Sequence, residues 1–388
     1  MAEERESAED AGRLSAVDAK DAKRRPAERP GISALNCAEL ELLAAERLDA
    51  AAYSYYRSGA GDEATLARNC AAFGEISLLP QVLVDVAALD PAVTVLGSDL
   101  SMPIVVAPTA FQKLAHPEGE CETARGTADA GTVMCLSSLS NSTLEEVGAE
   151  PGERWFQLYV FKDRGLTREL VERAEAAGCT AILLTVDAPV LGRREADIRN
   201  EFSLPAGLSI ACVGDGDVVA PSGESGLAAY FAEMLDPSLD WDDLAWLVET
   251  SPLPVAVKGI HRADDAERAL EHGAAGIVVS NHGGRQLDTV PATIEMLPAI
   301  TEAVAGRAEI LLDGGIRRGT DVIKALALGA DAVMVGRPIL WGLAIDGADG
   351  VRRVLNMLRA ELKQAMALCG TPSIAEITPE LIAPRSHY

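Results

Sequence analysis

The sequence repeats one pattern eight times: a short apolar run rich in β-branched residues, a turn, and an amphipathic segment rich in Ala, Glu and Arg. Apolar runs that alternate with helical segments are typical of a parallel sheet covered by helices on both faces. Eight such units fit a closed (β/α)8 barrel better than an open doubly wound sheet. The predicted strands are 103–107, 132–136, 155–158, 181–185, 255–258, 276–280, 309–313 and 332–336.

Three stretches do not follow this repeat. Residues 1–30 mix charged residues with Ala and contain no apolar period, which predicts a disordered, charged leader ahead of a single barrel domain, residues 31–388. The Ala-rich stretch around Tyr55 predicts a helical segment before the first strand. After the fourth predicted strand, residues 204–240 are rich in Gly, Pro, Asp and Ser. We expect a mobile lid there, because barrel active sites form on that face.

Composition excludes several classes of protein. The chain has 34 Lys and Arg against 59 Asp and Glu, a net charge of −25, and this field disfavours nucleic acid and anionic lipid as partners. We find no signal peptide and no apolar run near the ~20 residues of a membrane span. The 7 cysteines form no Cys-x-x-Cys pair, which argues against a disulfide framework or a metal site. We therefore expect a reducing, cytoplasmic location.

Polar side chains stand at the carboxyl ends of the predicted strands. In a barrel these ends converge on one mouth, so the pattern predicts a site there, although it does not by itself predict a reaction. The residues concerned are Thr109, Ser137, Gln157, Tyr159, Thr185, Asp187, Lys258, Ser280, His282 and Asp313.

The densest of these segments, Ser280–Asp288, follows the sixth predicted strand. Histidine side chains ordinarily titrate near neutrality, so His282 is a candidate general base. Arg285 carries the planar guanidinium that binds a carboxylate through two hydrogen bonds. The intervening glycines allow a turn tight enough to direct both side chains at one small molecule. The alternative is a surface turn with a solvated His, which the position after a barrel strand disfavours.

A phosphate site is indicated after the seventh and eighth strands. Gly315 and Gly336 expose backbone N–H groups there, and Arg317 and Arg337 add fixed positive charge. Loops at these two positions are the usual phosphate site of a (β/α)8 barrel. The phosphate could belong to a substrate or to a cofactor.

Three further charged residues have both a functional and a structural interpretation. Lys258 could stabilise negative charge that develops on a cofactor ring, or it could pair with an acidic neighbour. Asp187 could orient His282 and support its protonated form. Arg194 could contact a second carboxylate or the product, or it could form an ion pair at a helix start with nearby acids.

The sequence resembles a known family. Ser280–Asp288 is similar to the signature of the FMN-dependent α-hydroxy-acid oxidases and dehydrogenases, the family of glycolate oxidase, lactate oxidase and mandelate dehydrogenase. The resemblance extends from Ser33 to Ala383. Other matching segments are Tyr53–Ala60, Ala107–Ala110, His116–Glu120, Phe156–Tyr159, Leu184–Asp187, Val257–Gly259 and Lys324–Ala330.

The resemblance implies a role for each matching residue. It implies that His282 is the catalytic base, that Asp187 is its carboxylate partner, and that Lys258 stabilises charge on FMN. It places Tyr55, Arg194 and Arg285 around the substrate carboxylate and hydroxyl, with Tyr159 near the reacting group. The residues it implies for FMN are Thr109, Ala110, Ser137, Gln157, Thr185, Lys258, Ser280, Asp313, Gly315, Arg317, Gly336 and Arg337.

One departure from the family pattern bears on the substrate. Plant glycolate oxidases commonly have Trp after the Ser-Ser that follows the second strand, whereas here Leu139 follows Ser137 and Ser138. Leu139 would widen the pocket beside the substrate side chain. We therefore expect oxidation of a lactate-sized aliphatic (S)-2-hydroxy acid to the 2-oxo acid, and an aryl substrate such as mandelate remains an alternative.

The electron acceptor is less constrained by the sequence. We find no haem domain before the barrel and no hydrophobic membrane-insertion character in residues 204–240. Both observations favour O2, with H2O2 as the product. The alternatives are a soluble dehydrogenase that uses a quinone or an electron-carrier protein, a catalytically silent flavin-binding protein, and a barrel whose phosphate loops hold a phosphosugar. The resemblance also implies a homotetramer or homo-octamer.

Overall fold

The computed structural model describes residues 34–213 and 226–384. The chain divides into two units, Met1–Leu35 and Asn36–Tyr388. The predicted leader, residues 1–30, lies outside the described residues. The second unit holds every helix and strand given below.

Eight parallel strands close into a barrel, as the repeating pattern predicts. An antiparallel pair precedes them, formed by β1 (Val93–Val95) and β2 (Ser98–Leu100). Within the barrel, neighbours follow chain order from β3 to β10, and β10 pairs with β3 to close the ring. The barrel strands are β3 (Ile104–Val106), β4 (Met134–Ser137), β5 (Arg154–Leu158), β6 (Cys179–Thr185), β7 (Val255–Ile260), β8 (Gly276–Val279), β9 (Glu309–Asp313) and β10 (Ala332–Val335).

Helices surround the barrel and precede it. The first three form the helical segment that the Ala-rich sequence predicts, the last one follows the final strand, and the others connect successive strands. The described α-helices are α1 (Cys37–Ala45), α2 (Ala50–Arg57), α3 (Ala64–Gly74), α4 (Gly119–Ala130), α5 (Leu144–Gly148), α6 (Arg164–Ala176), α7 (Glu195–Arg199), α8 (Gly226–Met234), α9 (Trp241–Thr250), α10 (Ala263–Glu271), α11 (Thr293–Val304), α12 (Gly319–Ala327) and α13 (Arg337–Cys369).

The β1–β2 hairpin packs against the interior of the barrel. Val95, Leu96 and Leu100 belong to the same buried cluster as side chains from most of the barrel strands. Trp155 of β5 is fully buried in this cluster, and its indole N–H donates to Ser98 Oγ at 3.1 Å. The hairpin therefore covers the end of the barrel at which the strands begin. The opposite end, where the strands finish, is left open for a site. The sequence did not predict the hairpin, because strands of three residues show too little alternation to stand out.

The last helix, α13, is bent within its length. Asp346 and Gly347 have non-helical backbone angles there, with φ of −153° and 55°. The side chain of Glu122 on α4 accepts a hydrogen bond from the backbone N–H of Ala348, where the second half of the helix begins (2.6 Å). Because α13 starts directly after β10, this bend lets its N-terminal half lie at the carboxyl end of the barrel while its second half packs on α4.

Three sequence expectations concern features other than the barrel. In the described residues, we find no helix that is both long and apolar enough to span a bilayer. All seven cysteines are unpaired. Within residues 34–213 and 226–384, no group of three His, Cys, Asp or Glu side chains is arranged to hold a metal ion.

The bend in α13 requires close backbone packing, which gives a test of the fold. A Cβ at Gly350 would overlap the carbonyl oxygen of Gly342. We expect Gly350→Ala to destabilise the protein by about 1–3 kcal/mol, because the two halves of α13 must separate to admit the methyl group. Gly74→Ala is the matched control, since no atom lies within 4 Å of its Cβ position. Thermal unfolding of both variants measures the difference, and equal melting temperatures would contradict the described packing.

Candidate active site

The carboxyl ends of the barrel strands surround one cavity of about 1010 Å³, counting the part that is open to solvent. Most residues predicted from the sequence line it. Of the residues not predicted, Tyr56, Leu227 and Phe231 also line it. The last two belong to α8, within the connection predicted to be a lid. The predicted residues that line the cavity are Tyr55, Thr109, Ala110, Ser137, Leu139, Gln157, Tyr159, Thr185, Arg194, Lys258, His282, Arg285, Asp313, Gly315, Arg317, Gly336 and Arg337.

Two predicted residues, Asp187 and Ser280, are not part of the cavity wall. Asp187 lies behind His282, with its Oδ1 atom 2.9 Å from His282 Nδ1. Ser280 lies behind Lys258, whose Nζ donates to Ser280 Oγ at 2.7 Å. Both residues therefore hold a side chain that does line the cavity.

His282 has the geometry and the charge state of a base. Its backbone is left-handed (φ 58°), and its N–H donates to Ser280 Oγ at 3.1 Å. Burial lowers the pKa of His282 despite the nearby carboxylate. Burial alone would raise the pKa of Asp187, but its contact with His282 and the nearby charge of Lys258 outweigh that effect, and the pKa lies below its usual value. An ionised Asp187 accepts a hydrogen bond from Nδ1–H of the neutral imidazole. The other ring nitrogen, Nε2, is therefore left to accept a proton.

Lys258 provides a fixed positive charge at the floor of the cavity. Its ammonium is buried and lies 2.8 Å from Asp313 Oδ2. Burial disfavours the charged amine, but Asp313 and Asp187 outweigh that effect and raise the pKa of Lys258 above its usual value. The other oxygen of Asp313, Oδ1, is buried without a hydrogen-bond partner in the described part of the chain. A buried acceptor without a donor is costly, and a bound hydroxyl group would satisfy it.

Polar groups of three neighbouring strands are joined in a row. Ser137 Oγ donates to Gln157 Oε1 at 3.1 Å, and Gln157 Nε2 donates to Thr185 Oγ1 at 3.1 Å. All three side chains are buried. A row of amide and hydroxyl groups at the ends of adjacent strands can bind the polar edge of a planar heterocycle.

Arg337 and Arg317 line another part of the cavity wall. Arg337 donates to three backbone carbonyl oxygens at 2.8–3.0 Å. Burial, followed by the repulsion of Arg285 and Arg317, lowers the pKa of Arg337 to about 9. Gly315 has a φ of 93° and no room for a side chain, because a Cβ would overlap the carbonyl oxygen of Asn69. Partly buried guanidinium groups next to a glycine-rich loop after β9 can bind an anion such as phosphate.

Arg285 and Tyr55 form a clamp on the side of His282. The Arg285 guanidinium carbon lies 4.8 Å from the centre of the Tyr55 ring, and Nη1 donates to the backbone carbonyls of Tyr55 (2.6 Å) and Ser58 (2.8 Å). The Tyr55 ring also stacks on Phe202, with centroids 4.3 Å apart and planes at 8°. Sequence reasoning missed Phe202, because an aromatic residue in a loop is most often only a packing residue.

Gln286 connects the two segments that carry charged site residues. Its Nε2 atom donates to the carbonyls of Asp187 (3.0 Å) and Val190 (2.9 Å). Its Oε1 atom accepts from the N–H of Gly192 at 2.9 Å and lies 3.5 Å from Arg194 Nη2. All hydrogen-bonding positions of the amide are thus used to fix the connection after β6. Gln286 stands within the signature segment, so its place in the sequence was the signal that could have identified it.

The His282 segment is also held from outside the barrel, by α3. Asn69 and Asn281 donate to each other through their side-chain amides, both at 2.8 Å. Asp288 accepts from the first N–H groups of α3, at 2.8 Å for Thr65. Sequence reasoning missed Asn69; its signal was a polar residue on the apolar face of a helix.

The fold and the cavity define a class of protein: a (β/α)8 barrel whose carboxyl end holds a His–Asp pair, a buried lysine and several arginines around one cavity. Comparison with known proteins identifies the family. The model of the FMN-dependent dehydrogenase family matches residues 44–384. The chain therefore belongs to this family, and it is an FMN-dependent enzyme of the 2-hydroxy-acid oxidase type.

Named relatives are similar along nearly their whole length. The L-lactate oxidase of Nostoc sp. is 56% identical over 353 residues, which covers 89% of this chain and 97% of that protein. Glycolate oxidase 3 of Oryza sativa subsp. japonica is 54% identical over 346 residues, 88% of this chain and 94% of that protein. The crystal structure of a mandelate oxidase superposes with a TM-score of 0.85 at 42% identity, covering 90% of this chain and 98% of the other.

The residues present fit FMN. The partly buried Arg317 and Arg337 and the glycine loops after β9 and β10 suit its phosphate, and the unpartnered oxygen of Asp313 suits a ribityl hydroxyl. The row formed by Ser137, Gln157 and Thr185 suits the polar edge of its ring.

The Asn69–Asn281 pair gives a test of how the site is held. We expect Asn69→Ala to destabilise the protein by about 1–3 kcal/mol, because the buried amide of Asn281 then loses both of its hydrogen bonds to Asn69. The reduction of bound flavin by substrate should also slow, because Asn281 adjoins His282. Urea unfolding and the rate of flavin bleaching measure the two effects. Asn356→Ala, which removes a half-buried Asn on α13, is the control. Parent-like values for Asn69→Ala would contradict this account.

Proposed function

We propose that this enzyme oxidises an (S)-2-hydroxy acid with a short aliphatic side chain to the 2-oxo acid and passes the electrons to O2. The reaction removes two electrons and two protons from the substrate, and O2 takes up both to give H2O2. The observation that carries the proposal is the position of His282 and Arg285: one segment presents a base and a carboxylate clamp to the same cavity.

The side chains at the cavity have different proposed roles. Arg285, Tyr55 and Arg194 bind the substrate carboxylate, and Tyr159 lies beside the reacting group. His282 takes a proton from the substrate on Nε2, and Asp187 stabilises the imidazolium that results. FMN, when bound, supplies the two-electron acceptor, and Lys258 offsets the negative charge that this acceptor gains.

We further propose which residues hold FMN. Arg317, Arg337, Gly315 and Gly336 bind its phosphate, and Asp313 binds its ribityl chain. The residues proposed to line the FMN ring are Thr109, Ala110, Ser137, Gln157, Thr185 and Lys258, and Ser280 holds Lys258 from behind.

Assembly into a homotetramer or homo-octamer and a cytoplasmic location stay predictions.

Leu139 supports a substrate larger than glycolate. Its side chain is 4% exposed and lines the cavity. Its backbone is fixed on both sides: its N–H donates to Ser137 Oγ (3.1 Å), and its carbonyl accepts from Phe111 (3.2 Å). An L-lactate oxidase among the relatives supports the lactate-sized substrate, and the names of the relatives support O2 as the acceptor. The similarity to a mandelate oxidase keeps an aryl acid as the second candidate.

An anaerobic visible spectrum tests the proposal. L-lactate should bleach the flavin bands of the purified holoenzyme, and air should restore them within seconds. Recovery only after addition of a quinone or a dye would favour the dehydrogenase alternative. Bleaching by mandelate but not by lactate would favour the aryl acid. If no 2-hydroxy acid bleaches the bands, the proposal is wrong.

The same experiment tests the base. We expect His282→Ala to keep FMN bound but to slow bleaching by several orders of magnitude, since proton removal from the substrate loses its acceptor. His272→Ala is the matched control, because His272 lies outside the cavity on the end of α10. Bleaching of the His282 variant at the parent rate would exclude His282 as the base.

Substrate size is tested at Leu139. We expect Leu139→Trp to reduce kcat/KM for 2-hydroxybutyrate by at least about tenfold while changing that for glycolate by less than about threefold, because the indole occupies space that a longer side chain needs. Leu368→Trp, on an exposed part of α13, is the control. An equal loss for both acids would show that Leu139 does not border the substrate side chain.

A further inference from the structure

Asp197 is a buried acid that the proposed reaction does not use. It lies on α7, one turn after Arg194, and it is 2% exposed. Neither of its carboxylate oxygens has a hydrogen-bond partner among the residues that the structure describes. Its closest cation is Arg194, with Nη1 and Oδ2 at 4.0 Å. A buried carboxylate in this state is costly unless the charge of a nearby cation compensates its own.

Arg194 is held so that it faces both Asp197 and the cavity. Its Nε atom donates to the carbonyl oxygen of Arg285 at 3.2 Å, and Nη2 lies 3.5 Å from Gln286 Oε1. Nη1 is the nitrogen nearest to Asp197, at a distance longer than a hydrogen bond. Arg194 lines the cavity although it is only 5% exposed. A carboxylate bound in the cavity and the carboxylate of Asp197 would therefore both attract the charge of Arg194.

The charges of the clamp show what Asp197 contributes. Burial, together with the repulsion of Arg285, lowers the pKa of Arg194 to about 10. Burial raises the pKa of Asp197, and Arg285 and Arg194 oppose that rise. With its Oδ2 atom 4.0 Å from Arg194 Nη1, Asp197 is placed to act as a negative charge on this pair of arginines. That charge weakens the attraction that the pair exerts on any anion in the cavity.

We propose that Asp197 is a positioning residue that limits how tightly the cavity holds a carboxylate. The inference rests on the proposed function, in which Arg194 and Arg285 bind the substrate through its carboxylate. The 2-oxo acid product keeps that carboxylate, so tight binding of this group slows product release as much as it favours substrate binding. Asp197 offsets part of the clamp's charge and allows the product to leave.

The test is the affinity of the holoenzyme for pyruvate, measured from the change in flavin absorbance during an anaerobic titration. We expect Asp197→Asn to bind pyruvate about three- to tenfold more tightly than the parent, with a lower KM for L-lactate and stronger inhibition by pyruvate. Asp197→Ser also removes the charge and should shift the affinity in the same direction. Asp197→Glu keeps the charge and should bind pyruvate like the parent.

Asp242→Asn is the control for net charge. Asp242 is an exposed acid on α9 that does not line the cavity, so its removal should leave the affinity unchanged. A role of Asp197 in structure alone predicts the opposite direction, because a displaced Arg194 would bind pyruvate more weakly. Unchanged or weaker binding in the neutral variants therefore overturns the inference. If the parent itself does not bind pyruvate or oxidise 2-hydroxy acids, the proposed function fails first, and the inference fails with it.

Discussion

Burial of charge at the carboxyl end of the barrel is the constraint on which the rest of the site depends. A charge removed from water needs a partner or a ligand, because its desolvation costs several kcal/mol. On the side of His282 each buried cation has an acid nearby, as Lys258 has Asp313 at 2.8 Å. On the side of Arg337 the cations are bonded to backbone carbonyls and repel one another. The two sides therefore differ in charge balance: the cations on the side of Arg337 have no acid paired with them among the ion pairs of the described residues, whereas Lys258 on the other side does.

The positions of these charges depend on contacts that lie outside the cavity. Glu120, at the start of α4, accepts from the backbone N–H of Gln112 and of Asn141, both at 3.1 Å, and so joins the connections after β3 and β4. Burial raises the pKa of Glu120, and these hydrogen bonds oppose that rise. Gln286 joins the connections after β6 and β8 in the same way. Each connection that carries site residues is thus fixed to another, which is why a site built on loops keeps a defined geometry.

Much of this arrangement could be predicted from the sequence, for identifiable reasons. Eight buried strands are visible as apolar runs, and the convergence of their carboxyl ends follows from the barrel, so the lining side chains could be named without coordinates. The resemblance added Tyr55, which spacing alone would have left as an aromatic on a helix. Asn69 and Phe202 could not be found in this way, because each acts through a contact with a residue distant in the chain, and such a contact has no period and no motif in the sequence. Asp197 stands only three residues after Arg194, and the sequence offered it only as one of the acids near that arginine.

The supporting contacts also separate Leu139, the proposed determinant of substrate size, from the segment that carries the proposed base. Leu139 is held at its N–H by Ser137 and at its carbonyl by Phe111, and the segment that follows it is held by Glu120. A change of side chain at position 139 therefore alters the volume of the cavity while the backbone around it stays in place. The base and the clamp stand on a different segment, after β8, which α3 and Gln286 hold independently. The proposed determinant of substrate size and the proposed base are thus held by separate sets of contacts, so we expect substitutions in the two sets to have additive effects.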